Sequence, residues 1–214
     1  MDKKITALET QKRNPDRLNV FLNDEFAFGI SKFVGAWLSI DQTISEEKIK
    51  ELTRQDEREQ AFQQALHFIS YKSRTTLEVK QKLEEAKFSS EIISDVISEL
   101  EEKLYLDDQE FARQWVEIRS ASKPRSRYLL TLELKKKGVP EVAIEDALTT
   151  IPDDEALAEE FGKQYLRRLM IEDRENFMKK MTSALQRKGF SYHIASKVAG
   201  DLEEQRQLQM KSED

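Results

Sequence analysis

The sequence contains no cysteine, which excludes disulfides and thiolate metal sites and is compatible with a reducing compartment. It also lacks any apolar run near the ~18–20 residues that a membrane-spanning helix needs, and its N-terminus has no apolar core of signal-peptide length. A soluble, cytoplasmic protein with no membrane partner is expected. The only histidines, His67 and His193, lie far apart, and neither has acidic residues at ligand spacing. No phosphate loop, nucleophile elbow or zinc signature occurs. The expectation is a protein that is not an enzyme and uses no cofactor or metal. Acidic residues outnumber basic ones, 41 to 35, for a formal net charge of −6. A uniformly basic nucleic-acid binder is thereby excluded, and any such surface must be local.

What is present is charge and helical periodicity. Of 214 residues, 36% are charged and 38% hydrophobic, a balance that suits exposed helices with narrow buried stripes. Residues 3–30 stand apart. ITALETQ, RLNVFL and EFAFGIS alternate apolar and polar residues, which is strand patterning. Asn14-Pro15-Asp16 marks a turn, and Asn23-Asp24 suits a two-residue hairpin because both tolerate positive φ. The pattern predicts a three-stranded meander packed on something helical, then a short helix over 31–38. Ser45 is expected to cap a helix over 46–60, with Glu46 and Glu47 favouring its dipole.

Beyond Glu59 the pattern is helical: 60–70, 75–87 and 90–103, then a helix opened by Asp107 or Asp108, another over 126–137 stopped by Gly138, and Pro140 opening the next. In the 75–87 helix, Leu77, Leu83 and Ala86 share a face, with Val79 at its margin. Pro152 and Asp153 open a further unit in which Leu157, Phe161, Tyr165 and Leu169 recur every four residues. The chain also repeats itself. Leu83, Leu134 and Leu185 are spaced by 51 residues, Phe88, Val139 and Phe190 share that offset, and Lys72-Ser73-Arg74-Thr75 falls on Lys123-Pro124-Arg125-Ser126.

The expected architecture is mainly α: tandem three-helix repeats in an elongated array behind a small N-terminal antiparallel β meander. The divisions are 1–58 (meander plus helix), 59–104, 105–151 and 152–208 (three repeats), and a frayed tail at 209–214. The fraying is expected to begin near Gln205, and hinges are expected at Leu104–Asp107 and Thr150–Asp153. A monomer is expected.

The most basic region of this acidic chain lies in the middle repeat. Arg119, Lys123, Arg125, Arg127, Lys135, Lys136 and Lys137 are interrupted only by Glu133. Such a run binds phosphates or an acidic protein surface, or else is a solvated face with lysines compensating a helix C-terminus. A second basic spot is Arg167-Arg168, followed by Arg174 and Lys179-Lys180, while Lys72 and Arg74 mark the equivalent helix start in the first repeat. Phe111, Trp115 and Phe161 are expected in the core. Asp107-Asp108 and Asp153-Asp154 are expected to cap helices, not to bind cations.

Asp108-x-x-Phe111-Ala112-x-x-Trp115-Val116-x-x-Arg119, followed by Leu132-Glu133-Leu134-Lys135-x-Lys137-Gly138-Val139, resembles the RecX family. Ala65-Leu66, Lys72-Ser73-Arg74-Thr75-x-x-Glu78-Val79 and Gln186-Arg187-Lys188-Gly189-Phe190 extend the resemblance over about 60–208. Val79 and Lys87 stand where Leu and Gly are usual. The resemblance implies binding to RecA filaments on single-stranded DNA. It also implies suppression of RecA ATPase, strand-exchange and coprotease activities, and direct contact with single- or double-stranded DNA. The residues themselves leave open a direct nucleic-acid binder or an α-solenoid adaptor without DNA. Charge reversal at Arg125 and Arg127 is expected to weaken filament binding without unfolding the protein.

Overall fold

The structure, a computed structural model, describes residues 2–167 and 173–213, with side chains up to 209. Arg168, Leu169 and Asp214 lie outside the described residues. The chain divides into two compact units. One is the chain up to Ser73 together with Val79–Leu106; the other is Arg74–Glu78 together with the chain from Asp107 on.

In the first unit, β1 (Lys3–Gln11), β2 (Asn14–Leu22) and β3 (Glu25–Ser31) form the expected antiparallel meander. Asn23 and Asp24 make its tight turn at φ 50° and 68°. A fourth strand, β4 (Thr43–Ile44), pairs with Lys3 and Lys4 and gives the order β3-β2-β1-β4. Two residues are too few to show alternation, so the pattern could not reveal it. The short helix expected over 31–38 is instead a series of turns, in which Gly35 N–H donates to Ser31 O at 2.9 Å and Leu38 N–H to Gly35 O at 3.0 Å. Glycine disfavours continued helix here.

One helix, α1 (Glu46–Ser70), replaces the two expected over 46–60 and 60–70. Ser45 caps it, its hydroxyl accepting from Lys48 N–H at 3.2 Å. No Gly or Pro interrupts it, and its two halves serve successive cores. Leu52 packs with Ile5, Val20, Leu22, Ile30, Leu38 and Ile44 of the sheet region. Ala61 and Ala65 pack with Val79 and Leu83 of α2 (Thr76–Glu85) and with Ile92, Ile93, Val96 and Leu100 of α3 (Ser90–Glu102). Val79, expected at a margin, is fully buried.

The second unit holds α4 (Asp108–Ser122), α5 (Arg127–Lys136), α6 (Glu141–Thr149), α7 (Asp154–Leu166), α8 (Arg174–Arg187) and α9 (Tyr192–Glu213). Asp107, Ser126, Asp153 and Asp173 cap α4, α5, α7 and α8 with side-chain acceptors. Gly138 and Gly189, at φ 77° and 86°, terminate α5 and α8. The tail expected to fray from Gln205 continues α9 to Glu213. Phe111 is in the core, with Trp115 and Phe161 half-buried against it. Ile151 joins the same core, so Thr150–Asp153, expected as a hinge, crosses a shared interior. The fold is thus mainly α, built of three-helix repeats, with an N-terminal antiparallel sheet.

Candidate functional site

The 51-residue period is a wiring pattern as well as a sequence pattern. At the start of α2, the Thr75 hydroxyl donates to Lys137 O at 2.7 Å and Thr76 N–H donates to the Asp108 carboxylate at 2.9 Å. At the start of α5, Ser126 N–H donates to Lys188 O at 3.0 Å and Arg127 N–H to the Asp154 carboxylate at 2.7 Å. Lys137 and Lys188 are one period apart, and each precedes its helix-stop glycine. The paired aspartates are now explained. Asp107 and Asp153 cap their own helices, while Asp108 and Asp154 satisfy a first-turn N–H of α2 and α5. Thr75 and Ser126 are buried at these plugs, which fix how the chain presents the basic α4–α5 link.

That link divides the expected basic residues into two groups. Arg119 and Arg125 converge on Glu133: Arg119 Nε lies 3.7 Å from Oε2, and Arg125 Nη1 pairs with Oε1. Trp115 Nε1 donates to the same carboxylate at 3.1 Å. The Arg119 guanidinium stacks 4.5 Å from the Trp115 ring, and Lys137 Nζ lies 4.9 Å from that ring. Lys137 also pairs with Glu78 at 2.8 Å. Burial works against the Glu78 charge, but hydrogen bonds from Lys137 and Thr75 outweigh it and hold its pKa below the usual carboxylate value. Arg127 donates to Ile151 O at 2.8 Å and to Pro152 O at 3.2 Å. Lys135 pairs with Glu141 at 2.6 Å. These side chains hold the second unit together.

Lys123 and Lys136 are exposed, as are Lys72 in the first unit and Arg167 at the end of α7; Arg74 is half-buried and within electrostatic reach of Glu78. Lys123 has company that the sequence reading missed. The plug between Ser126 and Lys188 brings Lys123, Arg125, Arg187 and Lys188 into one positive cluster. Burial lowers the Lys188 pKa, and the charges of Arg125, Lys123 and Arg187 lower it further. Burial likewise lowers that of Arg125, with Arg119 adding to it. The signal was legible as an absence. Ile118–Leu132 carries four cations and no acid, and Asn176–Gly200 carries five cations and no acid. These two acid-free stretches meet at the Ser126–Lys188 hydrogen bond. A positive seam on a net-negative chain attracts and orients a polyanion. Among the described residues, no group of three or more His, Cys, Asp or Glu is placed to hold a metal ion. No described helix is long and apolar enough to cross a membrane.

The chain matches three family models: the regulatory protein RecX N-terminal domain over 3–45, the RecX first three-helix domain over 61–100, and the RecX second three-helix domain over 107–148. It is 31% identical over 205 residues to the regulatory protein RecX of Bacillus subtilis (strain 168), covering 93% of this chain and 77% of that one. To the regulatory protein RecX of Bacillus pumilus (strain SAFR-032) it is 32% identical, covering 91% and 75%. A crystal structure of regulatory protein RecX superposes with a TM-score of 0.69 at 25% identity, covering 92% of this chain and 98% of that one. RecX from Lactobacillus salivarius gives 0.56 at 27% identity, covering 69% and 97%.

Proposed function

The chain belongs to the RecX family of regulatory proteins, and from that premise we propose that it binds the filament of a RecA-type recombinase on single-stranded DNA. Bound there, it suppresses ATP hydrolysis, strand exchange and coprotease activity, and so modulates recombination, DNA repair and SOS induction in the cytoplasm. It acts by occupancy, with no chemistry of its own. The observation that carries this reading is the positive seam where Lys123, Arg187 and Lys188 gather around the Ser126–Lys188 hydrogen bond, beside the Glu133-paired Arg125. The remainder of a chain of net charge −6 is repelled by a polyanion, so the seam decides which face approaches a nucleoprotein filament. The family supplies the partner, and the charge pattern supplies the face.

The test is the ATP hydrolysis rate of the cognate recombinase on single-stranded DNA, titrated with this protein. Suppression well below one chain per recombinase monomer supports filament regulation and favours end-capping or disruption over one-to-one masking. An unchanged rate across a molar excess, with helical circular dichroism intact, overturns the reading.

A further inference from the structure

We propose that the outward face of α8 is a binding site for the phosphodiester backbone of single-stranded nucleic acid. The proposal deepens the reading above, resting on it only for the presence of such a strand at the filament. A groove of about 380 Å³ runs along this helix, lined by Tyr165, Asn176, Lys179, Lys180, Ser183 and Arg187. Asn176, Lys180, Ser183 and Arg187 recur at intervals of four, three and four residues and so share one helix face. The opposite face is buried through Phe177, Met181, Ala184 and Leu185. Lys179, Lys180 and Arg187 are exposed, and no described carboxylate forms an ion pair with them. Lys180 does lie within electrostatic reach of Asp173, whose pKa is held down chiefly by the Asn176 hydrogen bonds.

The lining decides the kind of ligand. Protein interfaces centre on apolar and aromatic anchors, and among the described residues lining this groove there is no aliphatic side chain. It offers three cations, a hydroxyl, an amide and one tyrosine. Tyr165 is half-buried and held parallel to Phe161, ring centroids 5.7 Å apart. A cationic track beside an aromatic face is the combination that holds a single strand, phosphates along the track and a base on the ring. Lys180 and Arg187 are about 10 Å apart along the helix. Beyond Arg187 the positive charge continues into Lys188 and Lys123, a run longer than a single carboxylate would use.

The repeat supplies an internal control. One period earlier, α5 places Tyr128, Leu132 and Lys136 where α8 places Lys179, Ser183 and Arg187. Tyr128 and Leu132 are exposed, at 66% and 44%. Tyr128 and Leu132 on α5 are thus replaced by Lys179 and Ser183 on α8, while the third position is a cation on both, Lys136 and Arg187.

The experiment compares the intact chain with the triple variant Lys179→Ala, Lys180→Ala, Arg187→Ala, measuring binding to labelled oligothymidylate by anisotropy across a salt series. Affinity is expected to fall on the order of tenfold to a hundredfold. The slope of log affinity against log salt should lessen by about 2, at ~0.7 per phosphate for three contacts. The conservative variant Lys179→Arg, Lys180→Arg, Arg187→Lys should keep the intact chain's affinity, and so should Tyr128→Ala with Leu132→Ala. Unchanged affinity and slope in the triple variant, or no binding by the intact chain, overturns the proposal. If filament inhibition is lost while oligothymidylate binding is unchanged, the groove belongs to an acidic protein surface and the proposal also fails. The ATPase titration separates the two readings. An intact chain that leaves the recombinase untouched yet binds the strand through α8 sinks the filament reading and keeps the site.

Discussion

Gly138 and Gly189 each combine two constraints. Both have positive φ, and a Cβ on Gly138 would sit 2.5 Å from the Leu77 side chain, one on Gly189 2.4 Å from the Ser126 hydroxyl. Gly138→Ala therefore incurs left-handed strain and a collision, together about 3 kcal/mol, seen as a lowered urea midpoint. One period before Gly138 stands Lys87 at φ 67°, the departure from the family pattern noted in the sequence. Lys87→Gly is expected to stabilise by about 1 kcal/mol, because it relieves the same strain without a collision. Arg127 revises an expectation. Its guanidinium serves the Ile151 and Pro152 carbonyls, so Arg127→Glu should cost about 2 kcal/mol or more of stability, besides any effect on binding. Glu203 is buried, and its pKa is held low first by the Arg206 hydrogen bond, against burial, with Gln207 adding to it. A lowered folded value means that unfolding takes up a proton in acid. The stabilisation is full above the unfolded value near ~4.3 and is lost as pH falls through the folded value. Glu203→Gln should flatten the acid side of a plot of urea midpoint against pH, and an unaltered slope would show that other carboxylates set it.

Edge strand β3 shows how an element can be closed without another strand. Gly29 O accepts from Arg17 Nη2 at 3.1 Å, and Ser31 N–H donates to the Asp56 carboxylate at 2.6 Å. Asp56 also pairs with Arg17 at 2.7 Å and accepts from Gln60 at 2.8 Å, and it is only 3% exposed. One carboxylate of α1 thereby ties β2, β3 and its own helix together and occupies backbone groups that an open edge would offer to another chain. Asp56→Ala leaves Arg17 without its carboxylate partner and should cost about 3–5 kcal/mol, measured by denaturation, with increased aggregation on standing. None of this was legible beforehand. Asp56 reads as one more acid in a charged helix, and only tertiary placement separates it from Glu57. The same holds for α1, whose continuity follows from two cores sharing one helix. The helix starts, stops and repeat were legible because caps, glycines and apolar stripes are local. The basic link was legible as a charge run, yet its inward members look no different in sequence from Lys123. Arg187 and Lys188 joined it only through the plug at Ser126.

At the scale of the molecule, each of the two compact units has a buried interior of its own. The first holds the sheet core around Ile5, Val20 and Leu52 and the helical core around Leu83 and Val96; the second holds one core running from Phe111 to Leu202. Cooperativity in unfolding comes from shared buried contacts; α1 packs into both cores of the first unit and couples them, so one transition per unit is expected in place of a single two-state transition. The second interior holds two repeats at once, joined through Ile151 and through the plug at Ser126, Lys188 and Gly189. Those repeats are therefore expected to unfold together and not one at a time, whatever their resemblance to a modular array. Two transitions are expected in a urea titration followed by circular dichroism. Asp56→Ala should lower only the transition of the first unit, and Gly189→Ala, with its collision at Ser126, only that of the second. Hydrogen exchange should give α4 to α9 one common protection limit in the intact chain. A variant at Gly189 that loosened α7 to α9 and left α4 to α6 at full protection would show the repeats to be independent. In that case the seam between Lys123 and Lys188 would be an arrangement the protein visits instead of one it keeps.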